Sequence, residues 1–199
     1  MSGKTEKTEI SEKNRRLAKH VAGIFGGTPS ANRYGDEAQK SFIDIMTAVD
    51  SPVRTLASFS TFGLSDHPNP GGPKGRQLPV EIVGACGADV KKFDKALSTA
   101  AFCLINSKRP CRPGAIFPDC LGLYGISKTM KHFFFITPCL WTEDLKPLRV
   151  GKKTITWLLA VPISDEERKL AEKDGPARLD GLFEKKRIDI PDINRPSVL

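Results

Sequence analysis

SFIDIMTAVDSPVRTLASFSTFGLSDHP, Ser41 to Pro68, is the stretch on which the fold turns. Ile43, Ile45, Thr47 and Val49 alternate with Phe42, Asp44 and Met46, a period of two with apolar side chains on both faces. Such a strand sits in a sheet with both faces at least partly covered. Ser51-Pro52 reads as a turn, and VRTLASFST (53–61) as a second strand. Two strands joined so tightly predict an antiparallel hairpin. Gly63 ends the second strand where the backbone needs a positive φ or a close approach. Ser65 or Asp66 then sets the turn by bonding its own backbone, and Pro68 stops the strand continuing.

The same stretch places Ser65, Asp66 and His67 side by side, the side chains of a hydrolase triad. The pattern argues against that use. A nucleophile elbow needs GxSxG between a strand and a helix, whereas Gly63-Leu64-Ser65-Asp66-His67 lacks the second glycine and runs into prolines. Neighbouring side chains also diverge from the backbone, and a triad is assembled from separate segments. A hydrolase around Ser65, recruiting His132 or His20, remains as an alternative. Cys86 has no recognisable base partner, and GGPKGR (71–76) lacks phosphate-loop spacing. No catalytic residue is assigned, and the protein is not expected to be an enzyme.

Outward from the hairpin, Ser11 to Phe25 reads as a helix, with Ser11 as cap, Leu17, Val21 and Ile24/Phe25 at helical spacing, and Gly26-Gly27 as its end. TPSANRYGDE (28–37) reads as loop. His67 to Pro79 holds four prolines and three glycines and is also loop. LPVEIVGAC (78–86) is a third strand, and Ala88 to Asn106 a helix with Phe93, Leu97, Ala100/Ala101 and Leu104 on its apolar face. SKRPCRPGAIFPDCLGLYG (107–125) reads as irregular, and long irregular loops are often functional. HFFFITPCLW (132–141) and KKTITWLLAVPI (152–163) are strands separated by a polar loop containing Pro147 and Gly151. Ser164 and Glu167 have capping-box spacing before a C-terminal helix, and Gly175-Pro176 separates it from a second one carrying Leu179, Leu182 and Phe183. The order α-β-β-β-α-β-β-α-α predicts an α+β fold, a single compact domain with a mainly antiparallel β-sheet packed against helices.

The formal net charge is +8, and Gly71 to Lys153, with fourteen Lys and Arg against six Asp and Glu, accounts for all of it. Clustered positive charge attracts an acidic protein face or nucleic acid through the same long-range field. For nucleic acid, Trp141, Trp157, Tyr124 and Phe133 to Phe135 are the aromatic candidates for base stacking, although Phe133 to Phe135 also reads as a core strand. The five cysteines form no CxxC pair and the three histidines are scattered, so neither metal nor cofactor is expected. Cys111 and Cys120 can approach across a loop, but reduced thiols suit the cytoplasm. The polar N-terminus and the lack of a long apolar run predict a cytoplasmic protein with no membrane segment.

Four blocks resemble the suppressor of fused-like family. They are FIDIM followed by TLASFSTFGLSDHP (through Asp44, Ile45, Thr61, Gly63, Leu64, Ser65, Asp66 and Pro68), LPVEIV with Glu81, VPISDEER (Pro162, Ile163, Ser164, Glu167), and the closing IDIPDINRPSVL (Asp192, Arg195, Pro196, Ser197, Val198). HPNPGGPKGR and SKRPCRPGAIFPDC lie outside the pattern. The resemblance implies a suppressor of fused-like domain over 11–199, preceded by a flexible polar tail over 1–10. It also implies a non-catalytic protein binder of the short bacterial type, an immunity protein that blocks a cognate toxin by direct contact. A sheet edge, or the loops around Gly71 and Pro113, would dock a toxin or peptide with an acidic face. The candidate binding residues are Ser65, Asp66, His67, Lys74, Arg76, Arg109 and Arg112. At the C-terminus, Asp192 and Arg195 either pair with each other or anchor the tail, together with Ile188, Ile190, Ile193 and Val198.

Overall fold

The computed structural model of the chain describes residues 11–26, 29–141 and 145–199; the expected tail, 1–10, lies outside them, as does Gly27 of the expected helix end. In chain order the elements are α1 (Glu12–Phe25), β1 (Ser30–Gly35), β2 (Phe42–Val49), β3 (Leu56–Phe62), β4 (Val80–Gly87), α2 (Phe93–Ile105), β5 (Ile116–Phe117), β6 (Met130–Ile136), β7 (Leu148–Val150), β8 (Lys153–Ser164), α3 (Asp165–Asp174) and α4 (Pro176–Lys186). The hairpin read from Ser41 to Pro68 is present as β2 and β3, antiparallel, with Met46 opposite Ser60.

The strands form one sheet in the order β1-β2-β3-β4-β8-β6-β5, with β7 paired to β8. Its pairs are antiparallel except the central one, β4 with β8, where Val80 faces Thr156 and Val83 faces Leu159. The fold is therefore α+β with a mainly antiparallel sheet, as expected, but the hairpin pattern did not announce that parallel pair. The central position explains the composition of these strands. β4 is buried from Val80 to Cys86 and β8 from Trp157 to Ser164, because helices cover both faces.

Strand alternation divides the interior into two cores. Ile43 and Ile45 of β2, with Ile82, Phe133 and Phe135, pack on one face beneath the α2 residues Phe93, Leu97 and Ala101. Met46 and Ala48, with Val83, Phe134 and Trp157, point to the opposite face, against Leu17 and Val21 of α1 and Leu179 and Phe183 of α4. Full burial of each such phenylalanine contributes roughly 1.5–3 kcal/mol, so the FFF run of β6 holds the two layers to one sheet.

Helix ends follow their sequence signals. Ser11 Oγ accepts from Asn14 N (3.2 Å), Gly26 closes α1 at φ 75°, and Ser164 and Glu167 complete the capping box of α3. Three expectations need correction. Residues 30–35, read as loop, form edge strand β1; it is polar and mostly exposed, and hydrogen bonding to β2 rather than apolar alternation makes it a strand. The polar loop before β8 contains β7, a three-residue hairpin partner. The irregular 107–125 region contributes β5 to the sheet edge. Boundaries also move: α2 begins at Phe93, after Lys92 in the left-handed region, and β6 ends at Ile136, before Pro138. All five cysteines are free thiols, so Cys111 and Cys120 are not joined. No described helix is long and apolar enough to cross a membrane.

Candidate partner-binding surface

The TFGLSDHP turn is built around a buried carboxylate. Glu81, fully buried on β4, accepts from Thr61 Oγ1 (2.7 Å) and from the backbone N–H groups of Gly63 (3.1 Å), Leu64 (3.2 Å) and Ser65 (3.0 Å). Burial pushes the Glu81 carboxyl pKa up, and the donors from Ser65 and Thr61 oppose that shift. Gly63 has the expected positive φ, 96°. The side chains of Ser65 and Asp66 do not set the turn, contrary to expectation; Glu81 does. Asp66 instead pairs with Lys13 of α1 (2.5 Å) and Lys153 of β8 (3.2 Å), which hold its carboxyl below the ordinary value although burial acts the other way.

Ser65 is 2% exposed, and its hydroxyl accepts from Lys13 Nζ (3.3 Å). Among the described residues no hydrogen bond joins it to a histidine. His132 is engaged elsewhere: its Nδ1 accepts from Asp119 N (2.8 Å) and its Nε2 meets Asp165 Oδ1 (2.9 Å). His67 is half-buried, and burial holds its imidazole below the ordinary value. The triad letters therefore form a turn with an ionic margin.

A second region brings the two proline-rich loops together. Asn69, 1% exposed, lies between Pro68 and Pro70 and joins both. Its Nδ2 donates to Leu78 O (2.9 Å) and Cys111 O (2.7 Å), while its Oδ1 accepts from Gly71 N (3.2 Å) and Cys111 N (3.0 Å). Gly71 is required for this approach, since a Cβ there would stand 2.7 Å from Cys111 O. The clamped loops wall a cleft of about 740 Å³. Pro70 and Pro73 line one side, Pro110 and Pro113 the other, and Thr137, Thr156 and Trp157 belong to its sheet end. Lys74 and Arg112, both exposed, line it from opposite loops. Lys74 holds a left-handed backbone (φ 55°, ψ 33°) between Pro73 and Gly75.

The C-terminal blocks also meet. The Arg195 guanidinium grips Glu167 with two hydrogen bonds, 2.7 Å and 2.9 Å, and also donates to Pro162 O (2.9 Å). Glu167 further accepts from Ser164 N and Val198 N. Arg195 thus anchors the tail instead of pairing with Asp192 through its side chain; Ile193 and Val198 are buried, with Ile188 and Ile190 packed against the core in part. The separate sequence blocks have become two polar networks, one around Glu81 and one around Glu167. The family profile described as Suppressor of fused protein (SUFU) matches residues 39–196, which include Glu81, Glu167 and Arg195.

The chain belongs to the suppressor of fused family. It is 42% identical over 190 residues to Immunity protein YqcF of Bacillus subtilis (strain 168), covering 96% of this chain and 99% of that protein. Its fold matches the crystal structure of a suppressor of fused homologue from Neisseria gonorrhoeae FA 1090, with a TM-score of 0.72, 13% identity and coverage of 94% and 97% of the two chains. A chain of the Sufu-Fu complex crystal structure matches with a TM-score of 0.63 and 13% identity, over 94% of this chain and 92% of that one.

On this suppressor of fused fold the candidate residues separate into two groups. Ser65, Asp66 and His67 border the Lys13–Lys153 cluster, while Lys74 and Arg112 share the cleft. Arg76 lies in the first loop and bonds back to Pro73 O (3.4 Å). Arg109 donates to Ile116 O (3.1 Å) and covers the Phe117 ring, so it braces β5. Asn69, which organises the cleft, was missed because a lone Asn between two prolines reads only as turn chemistry. Of the stacking candidates, Phe133 to Phe135, Trp141 and Trp157 are all buried and only Tyr124 is partly accessible, so they form no aromatic platform for bases. Among the described residues no group of three His, Cys, Asp or Glu side chains converges as a metal site.

Proposed function

We propose that this protein is a non-catalytic, immunity-type binder that neutralises a cognate toxin by direct contact in the cytoplasm. The observation that carries this reading is the 42% identity to an immunity protein over nearly the whole of both chains. The occupied hydroxyl of Ser65 and the separate engagement of His132 support a binding role rather than hydrolysis. Five free thiols suit a reducing compartment. The basic middle of the chain favours a toxin with an acidic face, whose association slows as salt rises.

Co-expression with toxins encoded beside its gene tests the reading. The expected result is restored growth and a stable 1:1 complex on size-exclusion chromatography. Growth arrest unrelieved by this chain, with no complex formed by any neighbouring toxin, overturns it.

A further inference from the structure

We propose that the cleft between the 70–75 and 110–113 loops receives an extended acidic segment of the partner, with carboxylates paired to Lys74 and Arg112. The inference rests on the protein-binding reading and assigns it a site.

Charge complementarity carries the inference. Several surface cations are held by carboxylates, Lys13 and Lys153 by Asp66, Arg33 by Asp44, Lys131 by Asp165, and Arg168 by Glu172. What sets Lys74 and Arg112 apart from the other exposed cations is the one cleft they share. Among the described residues, Lys74 and Arg112 have no carboxylate partner, and no acidic side chain lines the cleft they share. Two unpaired cations on facing walls suit an occupant that supplies the missing charge. Arg112 offers a planar fork for a carboxylate, and Lys74 a mobile point charge that adjusts to its neighbour.

The shape of the site selects an extended segment. The walls are proline rings held by loops that Asn69 ties together, so the cleft is formed before binding and little ordering cost remains. Rigid apolar walls pack against a single extended strand, and the hydroxyls of Thr137 and Thr156 offer hydrogen bonds at the sheet end.

The test uses a displayed library of random dodecapeptides selected on the full chain. Selected peptides are expected to carry two or more Asp or Glu residues and to lose at least about tenfold in affinity on Lys74→Glu/Arg112→Glu, and nothing on the distant control Lys173→Glu. Both cleft residues are exposed, so the double variant keeps its melting temperature. Selection of uncharged peptides, or binding unaffected by the double reversal, overturns the proposal. Labelled single-stranded DNA that competes at lower concentration and is lost in the same variant overturns it in favour of a nucleic acid. If the double variant still neutralises the toxin, the cleft assignment fails and the immunity reading stands. If the chain neutralises nothing yet selects acidic peptides at the cleft, the immunity reading fails and the cleft stands.

Discussion

Arg195 and Glu167 form a two-pronged ion pair with both side chains out of water, 4% and 0% exposed. The pair joins the last residues of the chain to the start of α3, and Val198 N donates to the same carboxylate (2.9 Å). Removing one partner of a buried pair leaves an uncompensated charge, so Arg195→Ala is expected to cost about 3–5 kcal/mol. Arg195→Lys loses the fork and falls between the variant and the wild type. Urea unfolding of the three proteins measures this, and equal midpoints would show that the tail is not anchored here. Truncation after Arg187 also removes Ile193 and Val198 from the core, and is expected to lower the midpoint at least as far.

Glu81 meets four donors in the interior, so its loss leaves them all without an acceptor. Glu81→Ala is expected to destabilise by about 3–5 kcal/mol. Glu81→Gln keeps one acceptor oxygen and costs less. Amide hydrogen exchange locates the damage: protection should fall first at Gly63, Leu64 and Ser65, and uniform loss across the sheet would contradict a local role.

The pH dependence carries a sign that separates two carboxylates. Lys131 and His132 depress the Asp165 carboxyl from 3.8 to about 2. A depressed folded value contributes stability above the unfolded value, and that stability is lost as pH falls through the folded one. Glu81 is raised by burial and acts in the opposite sense, its contribution fading as pH climbs from 4.5 through its folded value. Comparing Asp165→Asn with wild type isolates the first effect. The variant's stability should fall less steeply between pH 4 and 2, a window bounded by the ordinary and depressed values. Parallel curves would rule out Asp165 as the source.

Gly84 tests how tightly α2 lies on the sheet. A Cβ there would stand 2.8 Å from Phe93 Cε1 and 3.4 Å from Leu97 Cδ1. Overpacking a fitted core costs about 1–3 kcal/mol, so Gly84→Ala should lower the free energy of unfolding by that amount, read from urea titration. Phe93→Leu in the same chain should recover part of it, and additive losses would show that the two sites do not touch.

Legibility in the sequence tracked burial and locality. The β2–β3 hairpin was readable because Ile43 and Ile45 alternate with Met46 and sit two residues apart along one strand. The caps at Ser11 and Ser164 were readable because their partners lie three residues away. β1 was not, because Ser30–Gly35 is polar and becomes a strand only through β2 across 7–17 residues of chain. Glu81 and Arg195 stood out through family resemblance, yet their partners, Thr61 and Glu167, lie 20 and 28 residues away. Such contacts exist only after the sheet has closed. The cleft was legible in part, since the loops around Gly71 and Pro113 were singled out, but the residue joining them was not.

Asn69 is that residue, and it separates the cleft from global stability. Its amide both donates to and accepts from each loop, a pattern that Asp cannot reproduce because a carboxylate donates nothing. Asn69→Asp leaves the Leu78 and Cys111 carbonyls without their donor and brings a carboxylate to within 2.7 Å of one of them. Each unmet buried group costs about 1–3 kcal/mol. Because the loops lie outside the main sheet, that energy should appear as local opening. Exchange of the 70–78 and 108–114 amides should accelerate while β4 and β8 stay protected, and partner affinity should fall although the cleft cations are unchanged. If exchange instead rises throughout β4 and β8, Asn69 supports the whole fold; if affinity survives with open loops, a preformed cleft is not what the partner recognises.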